Sequence, residues 1–281
     1  MTRTDLIHRL TAGRPVTAGA FIVTVYGDVV VPRGEVLWIG SLIGLCATLG
    51  IRENPVRTAV SRLVAAERLQ GARIGRRSFY RLAPAARAEF AEAARLLYAR
   101  PRPSGDWLVM LHPAMPDDLA RRHRMARMGG DLWICPARDD VPAAGGLILR
   151  AAPVAGLDRL PHLAGFWDLD GLAAGYAQVV DRFGPLDRAV EKGLVLAPED
   201  ALIARLLLVH LYRGVLLRDP GLPAEALPPD WPGTAAQALF RSLYIALTPL
   251  AEAQVARVMT GETGPLPQAT DRTRARLRAL A

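Results

Sequence analysis

The sequence predicts an α+β chain that opens with a winged helix-turn-helix, continues through a small mixed segment and ends in helices. Three observations carry that prediction. An apolar helix, a glycine stop and a basic-faced second helix follow one another over residues 38–68. A strand–turn–strand pattern with an arginine tip comes directly after them, over 69–82. The third observation is charge. Residues 1–100 hold 15 basic and 7 acidic residues and residues 101–281 hold 20 of each, so the whole formal excess of +8 belongs to the first third. A localised excess of this kind is the electrostatic footprint of a surface that meets a polyanion.

Length and composition set the frame. A chain of 281 residues is longer than one hydrophobic core usually organises, so two or three domains are expected. Cys46 and Cys135 sit inside apolar runs with no Cys or His at metal-ligand spacing, which predicts two reduced, buried thiols. Residues 1–20 lack the apolar core of a signal peptide. The longest apolar stretch, 201–217, is broken by Arg205, His210 and Arg213, which suits a buried helix and not a membrane span. A cytoplasmic protein with no membrane partner is the expectation.

The elements follow in order. Phe21, Ile22, Val25 and Tyr26 lie at helical spacing and fill the core side of a first helix. Over 38–49 the apolar residues Trp38, Ile39, Leu42, Ile43, Leu45, Cys46 and Leu49 form a core-facing stripe, and Gly50 ends it. Asn54 then reads as an N-cap and Pro55 as a first helical residue, opening a helix over 55–68. At 100° per residue Val56, Ala59, Val60, Leu63 and Val64 share one arc, while Arg57, Thr58, Ser61, Arg62 and Arg68 share the opposite one. An ordinary surface helix mixes glutamates with its basic residues. Here guanidiniums alternate with small hydroxyls and no carboxylate interrupts them before Glu67, a face suited to base edges and phosphates in a major groove.

Residues 69–74 and 78–82 read as two strands around Gly75-Arg76-Arg77, a tight hairpin with a basic tip. A hairpin of this kind alone is equally a solvated turn. Placed directly after a basic-faced helix, it reads as a wing whose arginines follow the backbone or probe the minor groove. The candidate DNA contacts are therefore Arg52 and Asn54 at the turn, Arg57, Thr58, Ser61 and Arg62 on the helix, and Arg73, Arg76, Arg77 and Tyr80 on the hairpin.

Residues 100–105, with two prolines and a glycine, read as a linker, giving a first domain of 1–100. A second, 101–156, carries strands at 107–111, 131–135 and 147–151 and an arginine-rich helix at 117–128. A third, 157–281, is helical at 170–183, 198–217 and 234–260.

No catalytic residue, metal site or cofactor is expected. His112, His123, His162 and His210 are scattered, and no nucleophile elbow, phosphate-binding loop or dinucleotide fingerprint is present.

Several of these strings resemble the PaaX family of transcriptional repressors. The resemblance rests on Phe21-Ile22-Val23-Thr24-Val25-Tyr26-Gly27-Asp28, on Leu37-Trp38-Ile39-Gly40-Ser41-Leu42-Ile43, on residues 56–64 and on Ile74-Gly75-Arg76-Arg77-Ser78-Phe79-Tyr80-Arg81-Leu82. It continues late in the chain with His210-Leu211-Tyr212-Arg213, with 217–223 and with Trp231-Pro232-Gly233. Two positions depart from it: Glu35 stands where a second glycine is expected, and Leu211 where an acidic residue is expected. The resemblance implies a winged helix-turn-helix, a central ferredoxin-like domain similar to the CRISPR-associated Cas2 proteins, and a helical C-terminal domain for effector binding and dimerisation. It further implies a homodimer that binds double-stranded operator DNA of an aromatic-acid (phenylacetate-type) catabolic operon. Release would come from an aryl-acyl-CoA effector such as phenylacetyl-CoA.

Such an effector needs arginines for its phosphates and aromatic rings for its acyl group. His210, Arg213 and Arg218, with Tyr212 near them, are the candidates for the first; Trp167, Tyr176 and Phe183 are those for the second. The plainer alternative is that His210 and Arg213 pair with Asp219 or with a helix C-terminus and hold the domain together. Two other functional readings stay open, an RNA- or acyl-CoA-binding protein and a Cas2-like metal-dependent nuclease. The nuclease would rest on Asp106, a lone carboxylate that more often caps a strand end.

Overall fold

The structure is a computed structural model that describes residues 5, 8–10, 16–98, 105–139 and 141–281. Residues 100–104 of the expected linker lie outside the described residues. The chain forms two compact units that cut across the three consecutive segments read from the sequence. The first combines residues 1–100 with 179–213 and 236–281, and the second combines 101–178 with 214–235.

The first unit begins with α1 (Ala18–Val25), a wider π-helical turn over Tyr26–Val30 and a 3-10 turn over Val31–Arg33. Phe21, Ile22 and Val25 are completely buried, as their helical spacing predicts. A three-residue strand, β1 (Val36–Trp38), then precedes α2 (Ile39–Ala47) and α3 (Glu53–Ala65). The sequence assigned Trp38 to a helix and missed β1; a strand of three residues has no readable period and exists because it pairs with a later one. β2 (Leu69–Ile74), β3 (Arg77–Leu82) and α4 (Arg87–Tyr98) follow, and the antiparallel sheet has the order β1-β3-β2.

The expected second glycine at position 35 now has a physical meaning. Gly34 and Glu35 both have positive φ, 99° and 69°, a conformation that normally favours glycine. Glu35 occupies it while its carboxylate accepts from Arg87 at 3.1 Å.

The second unit holds β4 (Trp107–Leu111), α5 (Asp117–His123), β5 (Ala126–Gly129), β6 (Leu132–Pro136) and β7 (Leu147–Ala151) in one antiparallel sheet of order β5-β6-β4-β7. The helix expected over 117–128 stops at His123. Arg124 is left-handed at φ 54°, and Ala126 pairs with Ile134 so that both enter the core with Trp107. Between β6 and β7 no helix forms among the described residues. The same unit contains α6 (Leu160–Ala164) and a short turn at Ala224–Ala226; Ala164, Ala226 and the nearby Leu222 pack with Trp107, Ala126 and Ile134.

Three long helices each contribute to both units: α7 (Leu169–Glu191), α8 (Pro198–Leu216) and α9 (Pro232–Val258). The expected stop after Phe183 does not occur. α7 runs through Gly184-Pro185 because Phe183 and Leu186, on either side, are both buried. The chain ends in a small hairpin, β8 (Thr260–Gly261) and β9 (Gly264–Pro265), and in α10 (Asp271–Leu280). Thr270 caps α10 by accepting from the Thr273 backbone, and the Thr273 hydroxyl in turn accepts from the Thr270 backbone N–H. No helix among the described residues is long and apolar enough to cross a membrane.

Asp28 ties helices from the end of the chain into the first unit. The Asp28 and Arg205 side chains have no solvent exposure and meet at 3.0 Å. The other Asp28 oxygen accepts from Tyr244 at 2.8 Å, Tyr98 at 2.9 Å and Arg276 at 3.1 Å. Arg205 also reaches Glu252 at 2.7 Å, and Arg33 closes the cluster on Glu252. A buried charge of this kind costs several kcal/mol of desolvation unless paired and hydrogen-bonded, so each partner is required by the others.

Burial alone would raise the Asp28 carboxyl pKa; Arg205, Arg276 and the hydroxyls of Tyr244 and Tyr98 more than offset it, leaving the pKa below its ordinary value. The sign follows. With the folded pKa depressed, the contribution is present above the unfolded value near 3.9 and is lost as pH falls through the folded one. Asp28→Asn is expected to cost about 3–5 kcal/mol at neutral pH, read by urea unfolding. The difference from wild type should narrow as pH drops below the ordinary carboxylate range. Equal stability at neutral pH would contradict this account.

Candidate nucleic-acid interface

α3 is built with two unlike sides. Val56 and Val60 are 0% and 1% exposed and Ala59 is buried beside them. Arg57, Thr58, Ser61 and Arg62 all face outward, and Arg52 and Asn54 are exposed at the start of the helix. Among the described residues of the unit nothing covers this side. Among the described residues, Arg52, Arg62, Arg76 and Arg77 form no ion pair.

Four details differ from the sequence reading. The helix begins at Glu53 with Arg52 at the cap position, so Asn54 is not the N-cap and Pro55 is the third helical residue. Proline is tolerated there because the first-turn N–H groups lack intrahelical acceptors in any case. The earlier start brings Glu53 into the helix, where it accepts from Arg57 at 2.7 Å, so the face does contain one carboxylate. Both side chains of that pair are half exposed, and such a pair contributes little and exchanges readily. Arg68 lies beyond the helix and donates to Glu89 at 2.6 Å, and Val64 is exposed instead of buried.

The hairpin turns through two residues, Gly75 and Arg76, with Ile74 opposite Arg77. Gly75 has φ 58°, and the positive φ at the first loop position alone is the pattern of a type II′ turn. Arg73 donates across the loop to the Gly75 carbonyl at 3.3 Å, and Arg76 stands at the tip. Tyr80 is half-buried, its ring lying against Gly71 on the neighbouring strand and its carbonyl accepting from Tyr26 at 2.9 Å. It braces the sheet more than it projects from it. A shallow groove beside α3, lined by Thr17, Gly19, Asn54, Thr58 and Arg62, separates that helix from the start of α1.

The effector candidates are divided between the units. Trp167, Tyr176 and Arg218 belong to the second, and Phe183, His210 and Arg213 to the first. Trp167, Tyr176, His210 and Arg218 have hydrogen-bond partners within their units. Trp167 donates to the Arg124 carbonyl at 2.9 Å and leans on Trp107. Tyr176 donates to Asp219 at 2.6 Å and meets Trp231 edge-on. Asp219 is thus engaged by Tyr176, not by His210 or Arg213. His210 bonds Thr24 at 2.9 Å with Phe21 against its ring, anchoring α1 to α8. Burial holds the Arg213 pKa below its ordinary value, opposed by Glu89, and the Tyr212 ring stacks on Phe240. Arg218 is exposed and donates to the Gly214 carbonyl. Asp106 lies 3.6 Å from the Arg150 guanidinium, and no group of His, Cys, Asp and Glu suited to a metal ion exists among the described residues.

Residues 17–86 match the family model described as PaaX-like protein, and residues 167–257 match that of the PaaX-like protein C-terminal domain. The chain is 31% identical over 287 aligned residues to the transcriptional repressor PaaX of Escherichia coli (strain K12), covering 90% of this chain and 87% of that one. In fold it is similar to an uncharacterized protein of Mycobacterium tuberculosis, with a TM-score of 0.51 and 23% identity over 84% of this chain and 98% of the other. The exposed, arginine- and hydroxyl-lined side of α3 and the basic hairpin beyond it fall within 17–86, the N-terminal matched region. By both domain matches and by identity over nine-tenths of its length, the chain belongs to the PaaX family of transcriptional repressors.

Proposed function

We propose that this protein represses transcription by laying α3 into the major groove of an operator duplex while the β2–β3 hairpin follows the adjacent backbone and minor groove. The observation that carries this reading is the exposed side of α3, where Arg57, Thr58, Ser61 and Arg62 stand clear of a buried Val56 and Val60. Guanidiniums and hydroxyls are the groups that read base edges and grip phosphates. In this reading α2, α3 and the β2–β3 hairpin act as a winged helix-turn-helix. In the same reading the second unit acts as a ferredoxin-like domain, which its antiparallel strand order β5-β6-β4-β7 supports. Two copies related by a two-fold axis meet an inverted repeat with half-sites one or two helical turns apart.

The operon and its signal belong to the same proposal. An aryl-acyl-CoA ester such as phenylacetyl-CoA releases the repressor from genes of aromatic-acid breakdown. Family membership supports this, and the chemistry would use arginines for the CoA phosphates.

Two experiments test the reading. With a duplex selected by the wild-type protein from a randomised pool, Arg57→Ala and Arg62→Ala should each cost about 1–3 kcal/mol of specific affinity in a mobility-shift titration, with unchanged unfolding midpoints. Joint replacement of Arg76 and Arg77 by Ala should weaken binding across sequences and flatten its salt dependence. Wild-type affinity in all of these variants, or preference for single-stranded RNA over duplex, would overturn the assignment. For the effector, phenylacetyl-CoA should raise the melting temperature and release the selected duplex, whereas free CoA should do neither; no shift with any aryl-acyl-CoA would remove that part of the proposal.

A further inference from the structure

Among the described residues, Arg77 is the one arginine of the proposed DNA surface whose guanidinium rests on an aromatic ring. Its guanidinium carbon lies 4.8 Å from the centre of the Trp38 ring. Trp38 belongs to β1, where it pairs with Phe79, two residues along β3 from Arg77. Leu37 beside it is 1% exposed and Phe79 is 5% exposed, so the ring is mounted on core residues. Gly40 completes the mount. A Cβ at position 40 would lie 2.3–2.6 Å from three indole carbons, so the ring takes this position only because residue 40 has no side chain.

The same local device recurs at Trp231-Pro232-Gly233, where a Cβ on Gly233 would lie 2.3 Å from the indole nitrogen. There the indole meets Tyr176 edge-on, an ordinary core contact. At Trp38 the ring meets an exposed cation instead. That difference separates a packing role from a positioning one.

We infer that Trp38 is a positioning residue for DNA binding, its indole holding the Arg77 guanidinium in place before the duplex arrives. Arginine has about 2 kcal/mol of rotamer freedom to lose when it binds a phosphate, and a guanidinium already stacked loses less of it. The stacked arginine cannot also reach deep into a groove, so Arg77 serves as a sequence-independent phosphate contact. Arg76, at the loop tip, is left to probe the minor groove. This inference rests on the hairpin's role proposed above.

A double-mutant cycle on the full-length protein tests it, using the duplex selected by the wild type. Arg77→Ala should weaken binding and reduce the salt slope by about one unit. Trp38→Leu should weaken binding roughly two- to fivefold, which is about 0.5–1 kcal/mol at 1.4 kcal/mol per tenfold, and Trp38→Phe by less. In the double variant the Trp38→Leu loss should disappear, because no guanidinium remains to be held. Gly40→Ala displaces the ring without removing it and should reproduce the loss seen in Trp38→Leu. Losses that simply add in the double variant, at unchanged unfolding midpoints, would show Trp38 to be core packing and overturn the inference. An Arg77→Ala variant with wild-type affinity and salt slope would instead refute the hairpin's role itself. If Trp38→Leu lowers the unfolding midpoint, the Trp38→Phe variant and its cycle with Arg77→Ala decide the matter.

Discussion

The first unit depends on a charge that water cannot reach. Asp28 sits in the wide turn that follows α1, fully enclosed, and its carboxylate is held by guanidiniums and hydroxyls drawn from far along the chain. Arg205 comes from α8, Tyr244 and Glu252 from α9, and Arg276 from α10. None of these residues can be removed without stranding another, because a buried ion without its partner costs more than the pair returns. The proposed DNA-binding elements therefore do not form a unit of their own. They are joined to the C-terminal helices through buried ion pairs, and His210 adds a second attachment by bonding Thr24 on α1.

That construction sorts the arginines. The basic excess of the first hundred residues looks uniform in the sequence, yet its members do different things in the fold. Arg33 is enclosed with Glu252; Arg68, Arg81 and Arg87 are tied to Glu89, Glu262 and Glu35. Arg52, Arg62, Arg76 and Arg77 form no ion pair among the described residues and stand at the surface of α3 and the hairpin. The electrostatic argument for a polyanion partner thus rests on fewer residues than the count suggests, and these few are concentrated on two adjacent elements.

The effector candidates show the opposite outcome. Trp167, Tyr176 and His210 carry the chemistry a CoA ester requires, but each is engaged in holding its own unit together. Residue type and helical spacing cannot distinguish an aromatic that lines a pocket from one that fills a core. The distinction lies in which neighbour the ring meets, and that neighbour here is distant in sequence: Trp107 for Trp167, and Trp231 for Tyr176.

What the sequence determined by itself was local. The helical stripe of α1, the glycine that ends α2, the two-sided composition of α3 and the turn between β2 and β3 all follow from propensities and periods within a few residues. The tertiary structure decided what distance in sequence conceals. It made a strand of Val36–Trp38 by giving it β3 to pair with, converted the end of an expected helix into β5 through Ala126 and Ile134, and carried α7 past Pro185. It also joined residues 179–213 and 236–281 to the N-terminal segment. The reason is the same in each case: the energy that settles these elements comes from burial and pairing with residues remote along the chain, and a buried aspartate can choose its partners only once the chain has brought them together.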